Sequence, residues 1–240
     1  MRRLLDHIQA VSALALVGAL LLGSSSVWSQ DLQYSLARGG KLYDKWYAVV
    51  DVDAPEASHP LYPAEAAYAD KPGANWRCKE CHGWDYMGKD GAYASGKHAS
   101  GIVGIQGAAG TKPEMIVAVL KDASHGYGDL LSEEDLLHLA NFVSQGQVNM
   151  DEYIDRESKQ TGGDAEQGAA YYNTLCVNCH GLDGKLPEDM KPLGALMGNP
   201  WEVMHKILNG QPAENMPGLR ALDPQITQDI MAYLVSLPTE

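Results

Sequence analysis

Two five-residue stretches carry the reactive side chains of this sequence: Cys78-Lys79-Glu80-Cys81-His82 and Cys176-Val177-Asn178-Cys179-His180. Each sets two thiols and an imidazole at i, i+3 and i+4, which is one face of a helical turn. C-x-x-C-H is the attachment signature of a c-type haem: the thiols bond covalently to the porphyrin edge and the histidine turns beneath the iron. The competing chemistries are a zinc site, a redox-active dithiol and simple disulfides. A redox C-x-x-C needs no following histidine, and a zinc site would have to gather ligands from both halves of the chain. All four cysteines fall in the two motifs. The expectation is two covalent c-type haems, held by Cys78, Cys81, Cys176 and Cys179, with His82 and His180 as iron ligands.

The rest of the composition agrees. The chain has 240 residues and a net charge of −13, from 18 Lys+Arg against 31 Asp+Glu. Such a surface is repelled by phosphate backbones, so nucleic acid is excluded as a partner. With 45% hydrophobic and 20% charged residues the sequence belongs to a folded protein. Phe142 is the one phenylalanine beside 12 Tyr and 5 Trp. That is a thin core unless something large and apolar, such as two haems, is buried with it.

Residues 1–29 read as a targeting segment. Arg2 and Arg3 precede an apolar run from Ala10 to Leu22, and small residues follow up to a cleavage point near Gln30. The run is short for a membrane span and has the layout of a secretory signal, an uncleaved anchor being the alternative. Nothing later is apolar for long enough to cross a bilayer. An exported, periplasmic chain without stable membrane insertion after cleavage is expected.

The remainder repeats. Gly40-Lys41-Leu42-Tyr43 is echoed by Gly168-Ala169-Ala170-Tyr171, and each C-x-x-C-H is followed by a loop, an apolar helix and a capped amphipathic helix. Ser132 opens the first of these last helices, with Leu136, Leu139 and Phe142 or Val143 at helical spacing. Asp223-Pro224 opens the second, with Ile226, Ile230, Tyr233 and Leu234. The first copy carries an extra Pro-rich loop at about 47–76. The expected organisation is a first domain over 30–150, a charged linker over 151–163 and a second domain over 164–240.

This pattern resembles the two-haem, tandem-domain class I cytochromes c. The resemblance implies an all-α fold: two small domains, each a few helices around an attached haem. In each, an N-terminal helix carrying Gly40 or Gly168 would cross a C-terminal helix carrying Phe142 or Tyr233. Asn215-Met216-Pro217 is similar to the family's distal methionine loop, which makes Met216 the sixth ligand of the second iron. Pro192 would supply the carbonyl that orients the proximal histidine.

Counted back from the helix caps, the first-half position equivalent to Met216 is His125, in Ser124-His125-Gly126-Tyr127-Gly128. His98, in a Gly/Ser-rich loop, is its rival as distal ligand. Met115 reads as core, Met87 as too near its motif to swing over the iron, and His59, His138 and His205 as ordinary polar-face or loop residues. Six-coordinate irons and an acidic surface point to an electron carrier that passes electrons from a donor dehydrogenase to a terminal acceptor, its acidic surface docking redox partners that present a basic face. The alternative is a haem enzyme, thiosulfate-dehydrogenase-like or peroxidase-like, or the haem subunit of a larger periplasmic dehydrogenase. The thiosulfate enzymes use a distal cysteine, and here no cysteine is spare.

Overall fold

The computed structural model describes residues 31–240; the expected signal segment lies outside them. The fold is all-α, and among the described residues the extended pairing is limited to two isolated bridges, Gly88 with Val103 and Ile154 with Thr161. No described helix is long and apolar enough to cross a membrane. Helix α1 runs over 31–49. It is followed by α2 (Pro72–Asn75), α3 (Cys78–His82), α4 (Pro113–Lys121) and α5 (Glu133–Asn141), the last ending in a π turn over Phe142–Gly146. The second half holds α6 (Ala165–Leu175), α7 (Val177–His180), α8 (Leu193–Leu196), α9 (Pro200–Asn209) and α10 (Pro224–Leu234).

The capped helices start where their sequences say they should. Ser132 accepts the Asp135 amide at the head of α5, Asp164 caps α6, and Asp223 takes the Gln225 amide at α10. Prolines occupy the first helical turn of α4, α9 and α10, where a missing N–H leaves no bond unmade.

Two close crossings organise the halves. A Cβ on Gly168 would lie 1.9 Å from the Asp229 carbonyl and 3.0 Å from Tyr233 Cβ, so α6 meets α10 backbone to backbone. In the first half the residue in this role is Gly39, whose Cβ would sit 2.2 Å from the His138 carbonyl and 2.6 Å from Phe142 Cβ. The expected Gly40 is displaced by one position. It faces the other way, onto α9, where its Cβ would fall 2.2 Å from Asn209. The tandem glycines thus serve opposite sides of one helix.

The α1–α9 contact is polar as well as close. His205 of α9, expected to be an ordinary polar-face histidine, is fully buried among Tyr43, Trp84, Tyr86 and Phe142. Its Nε2–H donates to the Gly40 carbonyl at 2.9 Å, which leaves Nδ1 to accept the Tyr86 hydroxyl at 2.9 Å. Beside it, buried Asp44 takes Lys206 Nζ at 2.7 Å and is paired with Arg77. Burial alone would raise the Asp44 pKa, but Lys206 and Arg77 outweigh it and hold the carboxyl below its ordinary range. The segment 151–163 is tied down too: Ile154 is buried, and Arg156 bridges Asp85 and Asp151.

These buried groups make stability acid-sensitive with a definite sign. Burial pulls the His205 pKa down to about 4, only partly opposed by Asp44. The folded form therefore binds fewer protons than the unfolded chain below about pH 6.5, and its stability falls as pH drops through that window. From pH 7 to 4 the loss from this one residue is about 3 kcal/mol. The Asp44 contribution persists above the ordinary carboxylate range and disappears only at lower pH still. Urea midpoints measured at pH 7 and pH 4 should show the drop, and His205→Gln should flatten most of it.

Candidate functional site

Both C-x-x-C-H stretches fold as a single helical turn, α3 and the Cys176-capped α7. Each turn is stopped by a glycine at positive φ, Gly83 at 79° and Gly181 at 73°. The same brace then holds each stop: Tyr43 Oη donates to the Gly83 carbonyl at 2.6 Å, and Tyr172 Oη to the Gly181 carbonyl at 2.7 Å. The correspondence is Tyr43 with Tyr172, the same one-residue shift that moves the crossing glycine from Gly40 to Gly39.

The histidines are oriented alike. His82 Nδ1 lies 2.7 Å from the Val103 carbonyl, and His180 Nδ1 lies 3.0 Å from the Leu186 carbonyl. A carbonyl can only accept, so Nδ1 carries the proton and Nε2 keeps its lone pair for a metal. Pro192 was expected to supply this carbonyl. Leu186 does so instead, one residue before Pro187, while Pro192 caps the short α8. In the first half, Val103 is presented because the chain folds back, with Lys89 N–H on Ile102 and Ile105 N–H on Tyr86, both at 2.8 Å.

The four thiols are free. Burial pushes Cys78 up to about 11, Cys81 to about 12 and Cys176 to about 11. That is opposite to the lowering that marks redox-active thiols and thiolate metal ligands. The donor set of each turn, two cysteines and an imidazole with a free Nε2, suits a covalently attached haem.

His125 lies close enough to His82 for the two rings to interact electrostatically. Asp122 accepts the Ser124 and His125 amides at 2.9 Å and forms the turn that carries it. His125 Nδ1 is buried, with no hydrogen bond; the nearest charge is the Asp122 carboxylate at 3.4 Å. His82 is shifted below its ordinary pKa by burial first, then by the proximity of His125 and His59. His98 is engaged elsewhere. Its Nδ1 sits 2.8 Å from buried Glu80, and its ring is stacked between Tyr68 and Tyr93, centroids 5.0 and 4.7 Å away.

His59, expected to be an ordinary loop residue, is the one the sequence concealed. Its Nε2–H donates to the His125 carbonyl at 3.2 Å, Nδ1 accepts the Leu61 amide, and its ring packs on Trp76 at 4.4 Å. The extra loop therefore reaches over to anchor the His125 turn. Its one sequence signal is position: a histidine in the segment that the second half lacks.

In the second half, His180 and Met216 are held on separate segments, α7 and the α9–α10 loop. Met216 is half-buried and walls a cleft against α1. Met204 and Met231 are buried core, as expected. Met115 is not: it lies 61% exposed with Val119, because α4 buries the opposite face through Ile116 and Leu120. Met87 Sδ accepts from Arg156.

Comparison with known proteins bears on this half. Residues 163–234 match the family model described as "Cytochrome C oxidase, cbb3-type, subunit III". No curated protein matches the chain. Among solved structures, a chain of the Kuenenia stuttgartiensis reducing HAO-like protein complex aligns over 77% of this chain and 99% of its own, at 15% identity and a TM-score of 0.27. The family match covers α6, α7 with its Cys-x-x-Cys-His, α9 and α10. Residues 163–234 are thus similar to a cytochrome c domain, a type that implies covalent haem c and haem-based electron transfer.

Proposed function

We propose that this chain is an exported, periplasmic electron carrier with two covalent haems, one in each of two cytochrome c units spanning about 30–150 and 164–240. The observation that supports it is the duplication of one detailed arrangement. Each Cys-x-x-Cys-His turn is stopped by a positive-φ glycine, braced by a tyrosine, and has its imidazole turned by a backbone carbonyl. Cys78 and Cys81 would hold the first haem, with His82 and His125 as iron ligands. Cys176 and Cys179 would hold the second, with His180 and Met216. When bound, each haem supplies a one-electron couple.

The chain's own residues do the rest. Val103 and Leu186 keep Nε2 of the two proximal histidines deprotonated. His59 and Asp122 fix His125 over the first site. With His82 and His125 offered to one iron and His180 and Met216 to the other, little room would remain for substrate at either, which favours a carrier over an enzyme. The net charge of −13 suits a partner with a basic docking face.

The test is a haem count with a ligand challenge. The reading expects two haems per chain by alkaline pyridine assay, falling to one in Cys78→Ser/Cys81→Ser and to one in Cys176→Ser/Cys179→Ser. It also expects an oxidised spectrum that cyanide leaves unchanged over minutes. A high-spin band, or a rapid cyanide shift, would move the protein to the haem-enzyme reading; a count of one would remove a haem.

A further inference from the structure

Between them, α1 and the α9–α10 loop form a cleft of about 350 Å³ whose walls include Tyr34, Arg38, Lys41, Asn209, Met216 and Arg220. Its charge is opposite to that of the chain. The sequence holds 31 acidic against 18 basic residues, yet three cations and no Asp or Glu line this cleft. Arg38 is neutralised by Asp135 at 2.6 Å. Lys41 and Arg220 have no carboxylate partner among the described residues.

Both are held in place. Arg220 aims Nε and Nη2 at Asn209 Oδ1, 3.0 and 2.8 Å away, and lies over the Phe142 ring at 5.6 Å. Asn209 is itself buried and fixed by its Nδ2 bond to the His205 carbonyl. Lys41 crosses the loop where Gly210 stands: a Cβ there would lie 2.6 Å from Lys41 Cε and 3.1 Å from Nζ. A glycine at φ 87° leaves that path open. Arg220 is largely buried and Lys41 partly so, and a cation withdrawn from water without a counter-charge is costly unless an anion joins it.

We propose that this cleft binds a small dianionic oxyanion of the phosphate or sulfate class. The two uncompensated charges match a dianion. The remaining guanidinium and ammonium hydrogens supply charge-assisted donors. The volume falls at the lower end of the range for small-molecule sites, so it also accommodates the organic part of a phosphate monoester along Ala37 and Pro217.

The experiment is calorimetric titration of the purified holoprotein with sodium sulfate and with sodium phosphate, ionic strength held constant with sodium chloride. One saturable site per chain is expected, with chloride a poor competitor. Lys41→Gln is the decisive variant, because its ammonium makes no hydrogen bond or ion pair among the described residues, and circular dichroism should show the fold unchanged. It should weaken binding at least tenfold, since a charge-assisted hydrogen bond contributes about 1.5–3 kcal/mol. Arg220→Gln should do the same, whereas Lys97→Gln, an exposed lysine elsewhere, should not. Absence of saturable heat, unchanged binding in Lys41→Gln, or equal weakening by Lys97→Gln would each overturn the site. The heat reports anion binding and not electron transfer, so its outcome is scored apart from that of the electron-carrier reading.

Discussion

His125→Met is expected to raise the lower of two reduction steps and to leave the higher step in place. Thioether sulfur favours reduced iron, whereas a second imidazole favours oxidised iron, so ligand type alone separates the two sites. Electrons should rest on the Met216 site and pass from the first half to the second. In a spectroelectrochemical titration the wild type should resolve two steps, and Met216→His should lower the upper one with loss of the methionine–iron absorption. His98→Ala should move neither step, because that ring is committed to Glu80 and to the stack between Tyr68 and Tyr93. An unmoved lower step in His125→Met would transfer the ligand role to His98. A single wild-type step would remove the gradient.

The second large effect is steric. Alanine in place of a mid-helix glycine ordinarily stabilises by about 1 kcal/mol. Gly39→Ala and Gly168→Ala should instead destabilise by about 3 kcal/mol or more, because the added carbon meets carbonyl oxygens of a crossing helix at 2.2 and 1.9 Å. Backbone on both sides leaves nothing cheap to move. Gly40→Ala meets the Asn209 side chain instead, whose displacement strains its bonds to the His205 carbonyl and Arg220 but moves no crossing backbone, so about 1–2 kcal/mol is expected there. Denaturant midpoints on the three variants give the ranking, and Gly40→Ala falling as far as Gly39→Ala would reverse the assignment of the two faces.

What could be read from the sequence was local. The Cys-x-x-Cys-His turns and the caps Ser132 and Asp223 are encoded within five residues of themselves. What escaped depends on partners far along the chain. Gly39 and Gly40 are indistinguishable until α5 and α9 are both in place. Val103 and Leu186 contribute only a carbonyl, which every residue has and no side chain advertises. His205 looks like a surface histidine within α9, since its partners Tyr86 and Gly40 lie 119 and 165 positions away. Met115 was misjudged for a related reason: α4 is apolar on more of its circumference than it buries.

The two-sided burial of α1 also sets a timetable. An exported chain emerges N-terminal end first into the compartment where it folds, and 165 positions must follow Gly40 before His205 arrives. Through that interval Leu42, Tyr43 and Trp46, buried in the finished fold, belong to a helix whose second roof has not been made. Helix α1, the first of the described helices, is therefore among the last to be enclosed. A nascent chain stalled before α9 should stay open to protease at α1, and one stalled beyond α10 should not.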